Sequence, residues 1–412
     1  MRNRYFDVVR AVAIVRVALY HATGWAALTI VFPAMGVMFA MAGSLMAASL
    51  DRHGVRAVGR RLRRLLPPFW LVGAVFVPAM LLFGGLPVGW HLLHWVLPLQ
   101  DPVANGWGTS VLGVLWYIRQ YLWFVLLSPV ALWAFRRWPV PMLVVPLALR
   151  AAVDLGLPVH GVVADFGLYF GCWLLGFAHH DNLLAKVRPW ALGAVAGALA
   201  LAGAAWGLTH PGARPWDLND MPLADALWSM AFVLLLVGFA PRDLAFIDRL
   251  PSVRRVVAVL NARAVTVYLW HQAAIVGTGA LLAAAGVHLV GSGGVAWRVA
   301  GAAVLIVVAI LAFGWIEDVA ARRPVRLLPG APRPVPSLRA PALPVPGVRA
   351  PALAAAAVPA PLVGVPVSPA VGPLRQVSVP APRPGAAQWS DARHAHEAVP
   401  RRRDRAARAE AG

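Results

Sequence analysis

Apolar stretches of about 20 residues recur from residue 6 to residue 317. A helix of that length crosses the roughly 30 Å hydrocarbon core of a bilayer. Inside that core a chain must satisfy its own backbone hydrogen bonds, which leaves helices or closed barrels. The runs are far longer than barrel strands, so the sequence predicts an all-α, polytopic transmembrane helical bundle. Composition agrees, with 60% hydrophobic and only 13% charged residues, whereas soluble domains carry about 25% charged residues. An ordinary soluble enzyme is excluded.

Ten spans are expected, at 6–28, 31–50, 66–84, 111–134, 140–156, 161–178, 190–208, 222–240, 264–286 and 296–317. Arg10, Arg16 and His21 interrupt the first run, so it reads as an uncleaved span rather than a signal peptide. The stretch 86–110 lies between spans, and its Trp90, Trp95 and Trp107 suit a bilayer interface. With ten spans, one set of loops collects 17 basic residues, including Arg52, Arg56, Arg60, Arg61, Arg63 and Arg64. The opposite set has Arg214, with Arg150 and Arg298 at span edges. Basic loops face the cytoplasm, which places both termini there. The formal net charge of +20 therefore reports membrane topology and a basic tail, and no nucleic-acid partner is expected.

Residues 1–323 are expected to form the membrane domain. From Pro324 the composition changes, and residues 324–412 hold 18 of the 36 prolines and one aromatic residue. Proline at this density breaks helices and sheet ladders, and little there can be buried, so a disordered cytoplasmic tail is expected. The single cysteine, Cys172, allows no disulfide within the chain. His91 with His94, and His179-His180-Asp181, are too sparse in ligands to specify a metal, and none is expected.

Ionisable side chains inside spans are costly and mark functional positions. Arg10 and His21 are eleven residues apart, which is about 20° beyond three full turns, so they share a helix face roughly 16 Å apart along the axis. Asp7 lies one turn before Arg10. Arg61 and Arg64 are i,i+3 neighbours ahead of Pro67, Pro68 and Trp70, and guanidinium pairs suit phosphate, although topology alone also places arginine in such a loop. Arg119 and Gln120 fall in the fourth span, and His271 follows Tyr268-Leu269-Trp270 in the ninth. These three are candidates for lining a polar cavity, with interhelical hydrogen bonding as the structural reading of His271.

Three of these patterns, in this order, resemble the acyltransferase 3 family of bacterial membrane acyltransferases. The first is Tyr5-Phe6-Asp7-Val8-Val9-Arg10-Ala11 through Leu19-Tyr20-His21, with ten residues between the basic residue and the histidine. The second is Arg61 and Arg64 before proline and an aromatic residue, and the third is Tyr268-Leu269-Trp270-His271. The similarity covers residues 5 to about 320. The chain departs from the family in the fourth span, where Trp116-Tyr117-Ile118-Arg119-Gln120 stands in place of an acidic stretch.

The resemblance implies an O-acyltransferase of the bacterial plasma membrane. Its donor would be acyl-CoA, most often acetyl-CoA, and its acceptor a hydroxyl of a glycan, a glycolipid or a small secondary metabolite. Arg10, Arg61 and Arg64 would hold the CoA phosphates. His21 would serve either as general base or as a covalent acyl carrier. Arg119, Gln120 or His271 would bind the acceptor or line the cavity. A transporter or flippase is the alternative reading, since it too would place arginine and histidine along a cavity. It predicts an inverted repeat, and the arginine-rich loop has no counterpart in the second half of the sequence.

Overall fold

The computed structural model describes residues 4–240, 249–287 and 291–329. They form fourteen α-helices and no strand. The first six are α1 (Arg4–Thr23), α2 (Ala27–Val31), α3 (Ala34–His53), α4 (Arg56–Leu82), α5 (Gly106–Leu112) and α6 (Trp116–Arg137). Next come α7 (Pro139–Asp154), α8 (Gly161–His180), α9 (Pro189–Thr209) and α10 (Pro222–Gly238). The last four are α11 (Pro251–Ala262), α12 (Ala264–Ala284), α13 (Gly291–Phe313) and α14 (Trp315–Ala320). The chain divides into two units, Met1–Pro336 and Ser337–Gly412. The second unit, with most of the expected tail, lies outside the described residues.

Every expected span coincides with a helix. Seven helical segments are long and apolar enough to cross a membrane. The other three expected spans fall on α1, α7 and α10. Helix α1 carries Asp7, Arg10 and Arg16, while α7 and α10 are 16 and 17 residues long, short of the usual 20.

Helix α3 sits at the centre, buried on nearly all sides, and packs chiefly on α8. The two backbones touch through small residues. A Cβ at Gly43 would lie 2.2 Å from the Trp173 carbonyl oxygen, and one at Gly176 would lie 2.1 Å from that of Ala40. Van der Waals contact between backbones is the usual source of helix association where lipid removes the hydrophobic drive. Aromatic side chains fill the space beside this crossing, with Phe39 and Phe124 at 5.0 Å and Phe124 and Trp173 at 5.4 Å.

Two boundaries and one side chain differ from the sequence reading. The first span ends at Thr23, and α2 is a separate short helix. The arginine-rich segment is not a loop leading to a span at 66, because α4 is continuous from Arg56 through Pro67, Pro68 and Pro78. These prolines deprive the Arg63 and Arg64 carbonyls of amide partners, but both residues are exposed. The helix therefore tolerates the loss where other groups can supply the missing bonds. In the 86–110 stretch, Trp90 is exposed as expected, but Trp95 is buried and stacks on Phe69 at 5.8 Å.

Candidate active site

Residues of α1, α3, α4, α6, α11, α12 and α14 line a cavity of about 550 Å³. Six arginines line it: Arg10, Arg52, Arg60, Arg61, Arg64 and Arg323. The acidic residue on its wall is Glu317, whose Oε1 accepts from the Thr266 amide at 2.8 Å and hydroxyl at 2.6 Å. Helix α1 delivers Arg10, which makes a long 3.5 Å contact with Asn261 Oδ1. Asn261 is itself anchored by donating to the Asp7 carbonyl at 2.6 Å. Arg61 reaches the Tyr121 hydroxyl at 3.4 Å. Among the described residues, the cavity thus holds several guanidinium groups with few protein acceptors. Such a surplus of cationic donors suits a polyanion.

The cavity brings Arg10, Arg61 and Arg64 together. Arg52, Arg60 and Arg323 were not singled out there. The first two looked like topology signals, and Arg323 stood at the edge of the expected tail. A buried network sets Arg323 in place. Arg263, with no exposed surface, donates to Asp318 at 2.7 Å and also to the Arg326 carbonyl. Asp318 in turn accepts from the Arg326 amide at 3.2 Å and pairs with Arg323 at 3.3 Å.

His21 and His271 meet with ring centroids 5.1 Å apart. His21 is exposed and has no hydrogen bond to another described residue. His271 is 1% exposed. Its Nδ1 lies 2.6 Å from the Tyr268 carbonyl oxygen, a position that requires the proton on Nδ1. Nε2 is then an acceptor, and it is buried without a partner among the described residues. Neither histidine lines the arginine cavity. Tyr268 links the two regions, since its side chain lines the cavity and its carbonyl orients His271.

Beyond His21 lies a polar cluster that sequence spacing did not reveal. Tyr20 donates to Asp217 at 2.7 Å, and Arg214 donates to the Tyr20 hydroxyl at 3.0 Å. Arg214 also pairs with Asp217 at 3.0 Å and with Asp220 at 2.9 Å. Hydrogen bonding from Arg214 holds the Asp220 carboxyl below the usual carboxylate range. Buried Arg16 donates to the Leu28 carbonyl at 2.9 Å and lies over the Tyr20 ring.

Arg119 stands apart from the arginine cavity. It donates to Asp101 at 2.6 Å and also binds Asp165, tying the 86–110 stretch to the start of α8. The fourth span has no acid of its own, and these two carboxylates come to it from outside. Gln120 is fully buried, and its amide nitrogen and oxygen have no partner among the described residues. Among the histidine groups set aside, His180 and Asp181 meet Asp51 within 4.8 Å. Arg136 bridges both of these carboxylates at 2.8–2.9 Å, so a cation already balances them. His91 stacks on Trp90 at 3.8 Å.

Fold and site together define a multi-pass helical membrane protein with an internal cationic cavity close to a pair of imidazoles. The sequence model of an acyltransferase domain matches residues 3–315, so the chain belongs to the acyltransferase 3 family and is an acyltransferase. No curated protein and no solved structure matches it significantly.

Proposed function

We propose that the protein is an integral membrane O-acyltransferase that moves an acyl group, acetyl in the simplest case, from acyl-CoA to a hydroxyl. The observation that carries this reading is the cavity lined by six arginines. CoA is a polyanion at one end and a thioester at the other. Its phosphates fit the guanidinium groups, and its long arm matches the roughly 16 Å of helix rise from Arg10 to His21.

In this reading ten helices span the bacterial plasma membrane, both termini are cytoplasmic, and the arginine cavity opens to the cytoplasm, where acyl-CoA is made. The acceptor is a glycan or another carbohydrate-like molecule that reaches His21 from the Arg214–Asp217 side. Its oxygen attacks the thioester carbonyl carbon. The new C–O bond forms, the C–S bond breaks, and the hydroxyl proton passes to His21 as general base. CoA leaves as the thiolate and is protonated from solvent. His271 supports the step from the neighbouring helix, with Nε2 free to accept a proton because Tyr268 holds Nδ1–H.

The test is incubation of purified protein in vesicles with labelled acetyl-CoA and extracted envelope or secreted glycans. Acyl transfer with release of free CoA is expected, and His21→Ala should abolish it. Donor-independent uptake of solute into the same vesicles, with no CoA release, would instead establish a transporter.

A further inference from the structure

A second cavity, of about 470 Å³, lies between α1, α11, α12 and α13 and shares the Ile14 wall with the first. Its lining is apolar throughout, from Val15 and Leu19 on α1 to Ile306 and Ile310 on α13, with the single exception of Arg255. The cause of the opening is local. A Cβ at Gly301 would lie 2.4 Å from Thr278 Cγ2, so α12 and α13 are in close contact there. The neighbouring α13 residues on the lining are Ala302 and Ala303, whose short side chains leave the space beside α1 unfilled.

The dimensions and charge of this groove identify its occupant. Along α13 it runs from Val299 to Ile310, eleven residues or about 16 Å. That is close to half of the roughly 30 Å core, the depth of one leaflet. Ala22, Ile275 and Ala302 pack together with Val299 and close the end next to the two histidines. The other end is where α11 joins α12, separated only by Arg263. Arg255 is on α11 and exposed, so the cation stands where a headgroup would be and the apolar walls stand where a chain would be.

We propose that this groove binds one chain of an anionic membrane phospholipid, with its phosphate at Arg255. The lipid packs against α1, the helix that carries Arg10 and His21, and completes the wall that α13 leaves open. Nothing in this proposal depends on the identity of the donor or acceptor.

The test is native mass spectrometry of the full-length protein after reconstitution in vesicles of phosphatidylglycerol or phosphatidylcholine with matched chains. One retained phosphatidylglycerol per protein is expected, in preference to phosphatidylcholine. Arg255→Gln should reduce that retention about fivefold, the weight of one basic residue at an anionic surface. Ala303→Trp fills the groove from a face that is exposed, and should abolish retention of both lipids while leaving a monodisperse protein. Equal retention of the two lipids, or retention indifferent to both substitutions, would mean only general solvation by the bilayer and would overturn the proposal.

Discussion

The pair Arg263–Asp318 offers a way to separate stability from donor binding. Arg263 has no exposed surface, and the Asp318 side chain is 6% exposed. Asp318→Ala leaves a buried guanidinium without its 2.7 Å partner. Removing one member of a buried ion pair costs about 3–5 kcal/mol. It also releases Arg323 from its 3.3 Å contact with Asp318, and with it one cation of the arginine cavity. A hydrogen bond to a charged group contributes about 1.5–3 kcal/mol, so CoA affinity should fall by about one to two orders of magnitude. The double variant Arg263→Met with Asp318→Leu leaves no unpaired buried charge, which removes the main penalty and forfeits, besides the Arg323 contact, only the two hydrogen bonds to Arg326. Its thermal unfolding in detergent should return most of the way to wild type, while CoA binding stays weak because Arg323 remains free. Thermal melts and CoA titration on the same three preparations decide the matter. A double variant as unstable as Asp318→Ala, or one that binds CoA normally, would refute the reasoning.

Gly176→Val should prevent assembly of the bundle, because the added atoms would stand 2.1 Å from a backbone oxygen that cannot yield; size-exclusion chromatography after mild solubilisation checks this. The Asp220 carboxyl is held low by Arg214, so its contribution to folding is present above the unfolded value of about 3.9 and is lost as pH falls through the lower folded value. The protection factor of the amides in the Leu218–Asp220 turn, which removes the intrinsic pH dependence of exchange, should therefore be steady from pH 7 to 5, and Asp220→Asn should lower it at neutral pH. Truncation after Pro329 should preserve CoA binding and transfer, whereas truncation after Pro324 should weaken both, because Arg326 supplies an acceptor to Arg263 and a donor to Asp318; activity of the two membranes at matched protein level is the check.

The helices were legible because bilayer thickness fixes their length and arginine marks their ends. The entry to α4 was not. Proline pairs usually mark a helix start, yet here the helix runs through them with the freed carbonyls at exposed residues. Spacing along single helices, where rise and rotation are known, put Arg10 on the face of His21 and paired Arg61 with Arg64, and the family resemblance singled them out as a set. Asn261 and Arg323 were out of reach, since Asn261 meets Arg10 and Arg323 joins the cavity lining only through the packing of α11 and of the segment after α14 on the rest of the bundle. Arg119 shows the same limit. Its acids lie 18 and 46 residues away in the sequence, so an intramembrane cation that invited a role at the acceptor is seen already bound to two carboxylates. The proximity of His21 and His271, separated by 250 positions, likewise comes from tertiary contact between α1 and α12.

In the proposed reaction the arginines hold the donor while His21 performs the chemistry. Donor titration of purified protein, with turnover and CoA binding read from the same samples, tests it most directly. Arg61→Ala with Arg64→Ala should weaken CoA binding, and excess acyl-CoA should recover part of the activity, since phosphate contacts act on ground and transition states alike. His21→Ala should bind CoA almost as wild type and lose turnover by about 10²–10⁴-fold, the usual weight of a general base, with no recovery at high donor. Near-normal turnover of His21→Ala, or unchanged CoA binding in the arginine variant, is incompatible with that division of roles.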